Sequence, residues 1–383
     1  MQKDSVLTTP NGATAPGPES PADMRVRRIL IYRLGSLGDT VVALPCLHLL
    51  ARTYPDAERF LLTNFSVHAK APASAAVLGD SGLVHGYLRY TVGTRNPGKL
   101  CALAREIRRF HPDLLVYLSM VRGKTAVRRD HIFFRWLCGI SRIAGLPGKE
   151  EIDRCYGASI RDYRAPFDAS SGLYEAEAAR LARAISVLGD AHPEDLANWD
   201  LRLSAAEKSV AAQALASLQG QPLMACGPGT KMQAKDWGQE NWRALLTRLR
   251  ARYPQHGLVL VGAREDGEAA DYAGATWAGA AINLCGKLSP RQTAAVIERA
   301  AVFLGPDSGP MHLAASVAVP CVIAFSAAGR PGVWFPAGQH HQIQYHRTEC
   351  HGCNLETCHA EARRCLTSIT VEEMEAAVRR VLG

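Results

Sequence analysis

The chain has 383 residues, which is long for one typical domain and sufficient for two. Its 47% hydrophobic and 21% charged residues are typical of a globular protein, and no apolar run approaches the roughly 18–20 residues that a membrane span needs. Residues 1–23 are rich in Pro, Gly, Ser and Ala and lack the apolar core of a secretory signal. We therefore expect a disordered leader, no transmembrane segment and a cytoplasmic location.

The charge is unevenly distributed along the chain. Residues 22–185 contain 25 Lys and Arg against 15 Asp and Glu, whereas residues 186–383 contain 18 against 19. A basic first half indicates an anionic partner or an anionic membrane surface, although a solvated Arg-rich face would look the same. Because no basic stripe alternates with aromatic residues and no zinc finger is present, we do not expect a nucleic-acid partner.

An apolar run followed by a glycine-rich turn opens the folded part of the chain. Ile29–Leu34 predicts a buried strand, and the Gly-Ser-Leu-Gly turn after it leads into a helix that ends near Thr53. Pro45 lies too deep for a regular helix, so we expect a kink there or regular helix only after it. Asp39 could cap this helix or present a carboxylate to a cleft as a general base.

The rest of the first half predicts further strands and helices. They are the strands Phe60–Leu62 and Leu114–Leu118, the helices Pro97–Phe110 and Tyr174–Leu188, and an interdomain connection at Gly189–Asn198. A cationic loop is predicted at Ser119–Arg129, directly after the second strand. In an open α/β sheet, ligands bind beyond the carboxyl ends of the strands, so Arg122 and Lys124 are candidates for binding an acidic acceptor.

A second alternating series of strands and helices follows. Its predicted strands are Pro222–Cys226, Leu258–Val261, Ile282–Leu284 and Val319–Ala324, and its predicted helices are Asn241–Tyr253, Asp271–Ala280 and Ser289–Ala300. Two successive series of this kind predict two parallel-sheet domains with a cleft between them.

The function prediction depends most on Phe303–Ala315, FLGPDSGPMHLAA. Its first residues read as the end of a buried strand, and its last residues read as an apolar helix. Asp307 and Ser308 are N-cap types, and the exposed N–H groups of such a turn form a phosphate site at the positive end of the helix dipole. Capping alone does not explain why Gly309 and His312 join them, although His312 could also be a core histidine.

Four cysteines lie within sixteen positions near the end of the chain: Cys350, Cys353, Cys358 and Cys365. Four thiols could bind zinc or iron tetrahedrally, but the second pair lacks the CxxC spacing of a standard zinc ribbon. Free thiols or a single disulfide are the alternatives. The total of 11 cysteines is odd, so we do not expect a full disulfide framework.

Three separated segments resemble the bacterial heptosyltransferases of glycosyltransferase family 9. They are ILIYRLGSLGDTVVALP, CGPGTKMQAKDW and GPDSGPMHLAA, and their order and spacing extend over about residues 25–370. The resemblance implies an α/β protein with the GT-B fold, in which two Rossmann-like domains have parallel sheets facing across a cleft. We expect an acceptor domain at 24–190, an ADP-heptose domain at 191–369 and a C-terminal helix at 370–383.

The resemblance also implies an activity, which is the inverting transfer of heptose from ADP-heptose to a sugar acceptor without a catalytic metal. Asp39 matches the proposed catalytic base, and Lys235 matches the lysine that binds the donor phosphate. The other donor-binding positions that it implies are Thr230, Asp307, Ser308, Gly309 and His312. The absence of an Asp-x-Asp motif agrees with a reaction that needs no cation.

The acceptor is less determined than the donor. The resemblance favours the lipopolysaccharide inner core, an anionic lipid-linked acceptor at the inner face of the inner membrane. An acidic residue expected near Tyr117–Ser119 is absent, which leaves the acceptor open. A protein acceptor of the autotransporter type or another nucleotide sugar is the alternative, and a non-catalytic nucleotide-sugar-binding module is a different class. Many family members carry a similar cysteine cluster, and some protein-modifying relatives hold a structural metal there.

Overall fold

A computed structural model describes residues 26–65, 73–91, 93–359 and 361–383, so the leader predicted at 1–23 lies outside the described residues. In the described part of the first half, the strands of the main sheet are β1 (Arg28–Tyr32), β2 (Glu58–Asn64), β3 (Gly86–Tyr90), β4 (Leu114–Tyr117) and β5 (Ile143–Ala144). They pair in parallel in the order β3-β2-β1-β4-β5. This central strand β1 is buried because Val, Ile and Leu side chains cover both faces of the sheet.

The helices of the first half connect these strands. They are α1 (Leu37–Val41), α2 (Leu44–Thr53), α3 (Ala73–Leu78), α4 (Pro97–Phe110), α5 (Lys124–His131), α6 (Lys149–Cys155) and α7 (Glu177–Ala184). Helix α5 continues as a π-helical turn, Ile132–Leu137. A short antiparallel hairpin of β6 (Phe167–Asp168) and β7 (Leu173–Tyr174) precedes α7.

The second half repeats the parallel arrangement. Its strands are β8 (Leu223–Cys226), β9 (Gly257–Leu260), β10 (Ala281–Asn283), β11 (Ala300–Pro306), β12 (Cys321–Phe325) and β13 (Gln342–Tyr345), in the order β10-β9-β8-β11-β12-β13. Its helices are α8 (Ala205–Ala214), α9 (Gln239–Arg252), α10 (Gly267–Gly274), α11 (Pro290–Ile297), α12 (Gly309–Ser316), α13 (Arg364–Thr367) and α14 (Val371–Leu382). Helix α14 packs on this second sheet through Met374, Ala377 and Val378.

Buried contacts join the two halves. Ala294 of α11 and Leu313 of α12 pack into the apolar core of the first half. Arg291 of α11 is 4% exposed and donates to the carbonyl oxygens of Val77 and Leu78 at the end of α3, at 3.1 and 3.2 Å. Because a buried guanidinium needs several acceptors, this residue holds the two halves together at one side of the molecule.

Several predicted elements are confirmed with shifted bounds, and some predictions are wrong. The break expected near Pro45 is confirmed, because the stretch through Thr53 forms two helices, α1 and α2, and Pro45 lies in the first turn of α2, where proline is tolerated. The helix predicted from Tyr174 begins only at α7, because the N–H of Tyr174 donates to the carbonyl of Pro331 and holds that residue extended.

Two other elements differ from their predictions. The cationic stretch after β4, predicted as a loop, is helical from Lys124 onward, and the backbone of Gly123 in an extended conformation starts this helix. The helix predicted at Asp271–Ala280 lies further towards the N-terminus, at α10, and continues as a short 3₁₀ turn to Trp277. The helix predicted at Pro97–Phe110 is α4 with the same bounds.

Candidate active site

The turn between β1 and α1 positions the Asp39 carboxylate. Its Oδ2 accepts hydrogen bonds from the backbone N–H of Ser36 at 2.7 Å and from the Ser36 hydroxyl at 2.9 Å, which forms a capping box. Gly35 has φ of +138°, and a Cβ there would lie 2.3 Å from Asp39 Cγ. Only glycine therefore fits at this position. The capping role predicted for Asp39 is confirmed, and it occupies one of the two carboxylate oxygens.

A buried network of charges lies beneath the turn. Arg33 is 2% exposed, and its Nη2 lies 3.7 Å from Asp39 Oδ1 while its Nε donates to the Asp39 carbonyl at 3.0 Å. The same guanidinium contacts Glu177 at 3.3 Å, and Arg180 binds that carboxylate through two nitrogens at 2.7 and 2.8 Å. Burial alone would raise the pKa of Glu177, but the two arginines outweigh it and lower this pKa.

The turn between β11 and α12 forms the other side of the site. Ser308 is the N-cap of α12, but its hydroxyl makes no capping bond and is buried without a partner among the described residues. Asp307 is 4% exposed and pairs with Lys235 at 2.7 Å. Lys235 ends a 3₁₀ turn that follows β8, and its ammonium group has two further donors for a ligand. The turn thus combines free helical N–H groups, an unpartnered hydroxyl and a cation.

The two turns contact each other directly. A Cβ at Gly38 of α1 would lie 2.8 Å from His312 Cδ2, and a Cβ at Gly309 would lie 3.1 Å from a side-chain carbon of Leu37. Burial lowers the pKa of His312 to about 4, although Asp307 and Asp39 act in the opposite direction and Lys235 assists it. The imidazole is therefore neutral near pH 7. The structure thus brings together six of the predicted site residues, which are Asp39, Lys235, Asp307, Ser308, Gly309 and His312.

Thr230 lies in the loop that follows β8, the strand beside β11. Its hydroxyl accepts a weak hydrogen bond from the N–H of Met232 at 3.4 Å. A Cβ at Gly229 would lie 2.2 Å from the Asp266 carboxyl carbon, so this loop packs closely on the start of α10. Sequence reasoning missed Asp266, whose pKa is raised by burial. A concave surface beyond β9 and β10 was also missed; it is lined in part by Arg264, Asp271, Asn283 and Lys287.

The two acceptor candidates differ in their surroundings. Arg122 forms an ion pair with Asp130 and donates to the Tyr117 hydroxyl at 2.7 Å, so its charge is already paired. Asp130 is 4% exposed and also accepts from Tyr117 at 2.7 Å. Lys124 is exposed at the start of α5. Asp130, which the sequence alone did not indicate, thus places a buried carboxylate at the Tyr117 hydroxyl.

The cysteine-rich segment packs beside the turn that carries Lys235. The N–H of Ala234 donates to the carbonyl of Glu356 at 3.0 Å, and the N–H of Cys358 donates to the Gln233 side chain at 2.9 Å. Cys350 is exposed and Cys353, Cys358 and Cys365 are partly buried, all as free thiols. Among the described residues, no three His, Cys, Asp or Glu side chains form a group that could hold a metal ion. A structural zinc or iron at these cysteines stays a prediction.

The sequence profile of glycosyltransferase family 9 (heptosyltransferase) matches residues 156–363, which is more than half of the chain. The chain belongs to glycosyltransferase family 9. It is therefore a glycosyltransferase of the heptosyltransferase family, as predicted from the three segments. No curated protein matches the chain.

Solved structures of the heptosyltransferase family have the same fold. E. coli ADP-heptose lps heptosyltransferase II matches 93% of this chain and 98% of its own, with 17% identity and a TM-score of 0.65. The family 9 glycosyl transferase from Veillonella parvula DSM 2008 gives 17% identity, a TM-score of 0.69 and coverage of 93% and 97%. E. coli heptosyltransferase WaaC with ADP has 16% identity and a TM-score of 0.59, and the match covers 92% of this chain and 99% of the WaaC chain. The family 9 glycosyltransferase described here thus has the predicted GT-B fold.

None of the helices in the described ranges is both long and apolar enough to cross a membrane.

Proposed function

We propose that this family 9 glycosyltransferase moves heptose from ADP-heptose to a sugar acceptor with inversion, and that the acceptor is the lipopolysaccharide inner core. The observation that carries the proposal is the contact between Gly38 and His312, which brings the turn bearing Asp39 against the amino end of α12. Support also comes from two structural neighbours, which are the E. coli ADP-heptose lps heptosyltransferase II and the E. coli heptosyltransferase WaaC with ADP.

The donor diphosphate would bind at the amino end of α12. Free N–H groups, the unpartnered Ser308 hydroxyl and the Lys235 ammonium group all offer donors to phosphate oxygens there. Asp307 holds Lys235 in place when no donor is bound and would share it with the diphosphate afterwards. Thr230 and Gly309 would complete the donor site from the β8 loop and from the first residue of α12.

The reaction requires one base and one site for the leaving charge. The acceptor hydroxyl oxygen attacks the anomeric carbon, the bond from that carbon to the phosphate oxygen breaks, and ADP leaves with the bonding electrons. The hydroxyl proton passes to Asp39, whose Oδ1 is the oxygen not used by Ser36. Lys235 and the α12 dipole stabilise the charge that develops on ADP.

We propose that this transfer needs no cofactor, because the Lys235 ammonium group and the N–H groups at the start of α12 stabilise the negative charge on the departing ADP. Dialysis against a strong chelator should then leave the initial rate unchanged, and a rate restored only by added Mg²⁺ would contradict the proposal. The cysteine segment could hold a structural zinc or iron beside the Lys235 turn. Elemental analysis of untagged protein tests this separately from the rate.

The proposed acceptor is lipid-linked and anionic, which places the reaction at the cytoplasmic face of the inner membrane. Arg122 and Lys124, in the stretch that follows the carboxyl end of β4, are the proposed contacts with its acidic groups. The first half of the chain is basic, which suits such an acceptor.

The experiment is an assay of ADP release with a panel of nucleotide sugars and with lipid A–Kdo acceptors, read by mass spectrometry of the acceptor. ADP release with ADP-heptose and a heptose-sized mass gain on the acceptor are expected. Transfer to a protein would show that the proposed lipopolysaccharide acceptor is wrong. Transfer from another nucleotide sugar would show that the proposed ADP-heptose donor is wrong. Tight binding of donors without any transfer would indicate a binding module and overturn the proposal.

A further inference from the structure

An exposed apolar pair lies on the surface of the first half, on the segment that continues α5. Ile132 is 63% exposed and Trp136 is 77% exposed, and both belong to the π-helical turn that continues α5. They are four residues apart and therefore lie on the same side of the turn. Scattered apolar side chains on a surface are ordinary, but an adjacent Ile and Trp this exposed form a patch that requires explanation.

The inner side of the same segment is fixed to the core, so the exposed side chains are held on a rigid element. Phe133 and Phe134 are 8% and 1% exposed, and the Phe134 ring packs edge-on against Tyr32 at 5.1 Å between ring centres. Arg108 of α4 donates to the carbonyl of Leu137 at the end of the turn. The segment is thus amphipathic, with one side buried and the other presented to solvent.

Cations surround the apolar pair. Residues 122–142 contain six Lys and Arg but only one acidic residue, the buried Asp130: Arg122, Lys124, Arg128, Arg129, Arg135 and Arg142. The side chains of Arg128 and Arg129 are 58% and 51% exposed, and Arg135 is also exposed. Arg128 pairs with the exposed Asp153 at 3.3 Å, and Arg129 pairs with the buried Asp130 at 3.3 Å, so these cations still outnumber the carboxylates that they contact. The patch therefore carries a strong positive charge around its apolar centre.

We propose that the Lys124–Leu137 segment is a docking surface for an anionic lipid bilayer. A tryptophan and an isoleucine can enter the region between headgroups and acyl chains, and the surrounding arginines attract anionic headgroups. A second copy of this chain fits less well, because a two-fold contact through this patch would place like charges opposite each other.

The position of the segment suits the reaction. Helix α5 begins just after the carboxyl end of β4, the edge of the sheet at which ligands bind in open α/β folds. The proposed lipid binding is argued from exposure and charge, and only its use in the reaction rests on the proposed function. A lipid-linked acceptor would lie at the membrane surface that this segment contacts.

The experiment measures co-sedimentation of the full chain with vesicles of phosphatidylcholine, with and without phosphatidylglycerol. The native protein is expected to bind the anionic vesicles and to be released as salt rises. The double variant Ile132→Ser with Trp136→Ser should bind about tenfold more weakly. Val187→Ser is the matched control, because Val187 is 80% exposed but lies outside the basic patch, and it should bind like the native protein.

Trp136 also provides a direct optical signal. The chain has six tryptophans, and Trp136 is the one that the structure leaves mostly exposed. Its emission should shift to shorter wavelength when anionic vesicles are added, and a Trp136→Phe variant should lose this shift while it still sediments.

Three results would overturn the proposal: no binding of the native protein to anionic vesicles, equal binding by the double variant, or a native dimer that the double variant dissociates. The last result, seen by light scattering, would assign the patch to a second copy. Because the vesicles contain neither donor nor acceptor, failure here is separate from failure of the proposed transfer. The double variant should also keep the native rate on a water-soluble acceptor fragment, which shows that the site is intact.

Discussion

Two Ser-x-x-Asp turns in the first half of the chain have nearly the same local geometry. In one, Asp39 accepts from the N–H and hydroxyl of Ser36 at 2.7 and 2.9 Å; in the other, Asp162 accepts from those of Ser159 at 2.8 and 2.9 Å. A glycine precedes each turn closely enough that a Cβ on it would overlap the aspartate side chain. Local hydrogen bonding therefore does not distinguish the two aspartates.

Their surroundings do distinguish them. Asp162 is exposed, and hydrogen bonds from Ser159 lower its pKa. The Asp39 side chain is only 13% exposed, with Arg33 beneath it and His312 of the other half beside it. A capping aspartate becomes a candidate base when a second element closes over it, so the functional difference between these turns comes from tertiary contacts.

The largest expected effect separates the two aspartates. Asp39→Asn keeps an oxygen that can accept from Ser36 but removes the proton acceptor, so we expect ADP release with a complete substrate pair to fall about 10²- to 10⁴-fold. Donor binding, measured by calorimetry, should change little because the donor contacts lie on the other half.

Asp162→Asn is the matched control for this variant. It changes the same atom in the same type of turn, and its rate should stay within about twofold of the native rate. Equal losses in the two variants would show that the turn matters only as a cap, and the proposed base would then be wrong.

The second prediction concerns the charges beneath the first turn. Glu177→Gln would leave the buried Arg33 and Arg180 without their shared carboxylate, so we expect a loss of about 3–5 kcal/mol in the free energy of unfolding, measured with urea. Glu175→Gln is the control, because its partner Arg183 is 45% exposed, and it should cost about 1 kcal/mol or less.

The same network makes a prediction about pH. The folded-state pKa of Glu177 lies below its ordinary value of 4.5, so its ionisation stabilises the native protein above that value, and this contribution is lost as the pH falls through the folded-state pKa. The difference in stability between the native protein and Glu177→Gln should therefore narrow on acidification below about pH 4.5. A stability difference that stays constant or widens on acidification would contradict a lowered pKa of Glu177 in the folded protein.

The comparison also explains what the sequence could and could not predict. Asp39, Ser308 and His312 were found because a strand, a tight turn and a helix start are encoded by neighbouring residues. Arg33 and Glu177 are 144 positions apart in the chain, and no local sequence pattern predicts that they pair. Asp130 was missed for a similar reason, since only the folded helix α5 returns its carboxylate to Tyr117.

Secondary structure followed the same division. Helix α4 has the predicted bounds, and the structure shows that Asn96 caps it and that proline begins it, which are local features. The two-residue strand β5 was not predicted, because it exists only through pairing with β4. The domain boundary at residue 190 and the roles of the site residues stay predictions.

The smallest expected effect tests the contact that closes over the first turn. Gly38→Ala would place a Cβ 2.8 Å from His312 Cδ2, which is closer than side-chain carbons normally approach. Alanine is the better helix former, so thermal unfolding should change little, whereas the two turns must move apart and kcat/KM should fall about tenfold. Gly148→Ala is the control, because a Cβ at that N-cap position meets nothing within 4 Å.

A double variant decides whether this loss arises from His312. If the clash is the cause, Gly38→Ala should cost nothing further in a His312→Ala background, because the imidazole that it meets is gone. If the free-energy losses in kcat/KM of the two single variants add in the double variant, the Gly38→Ala loss arises within α1 and not from contact with His312. In that case the contact between the two turns would not be what distinguishes Asp39 from Asp162, and the physical argument for Asp39 as the base would rest on Arg33 alone.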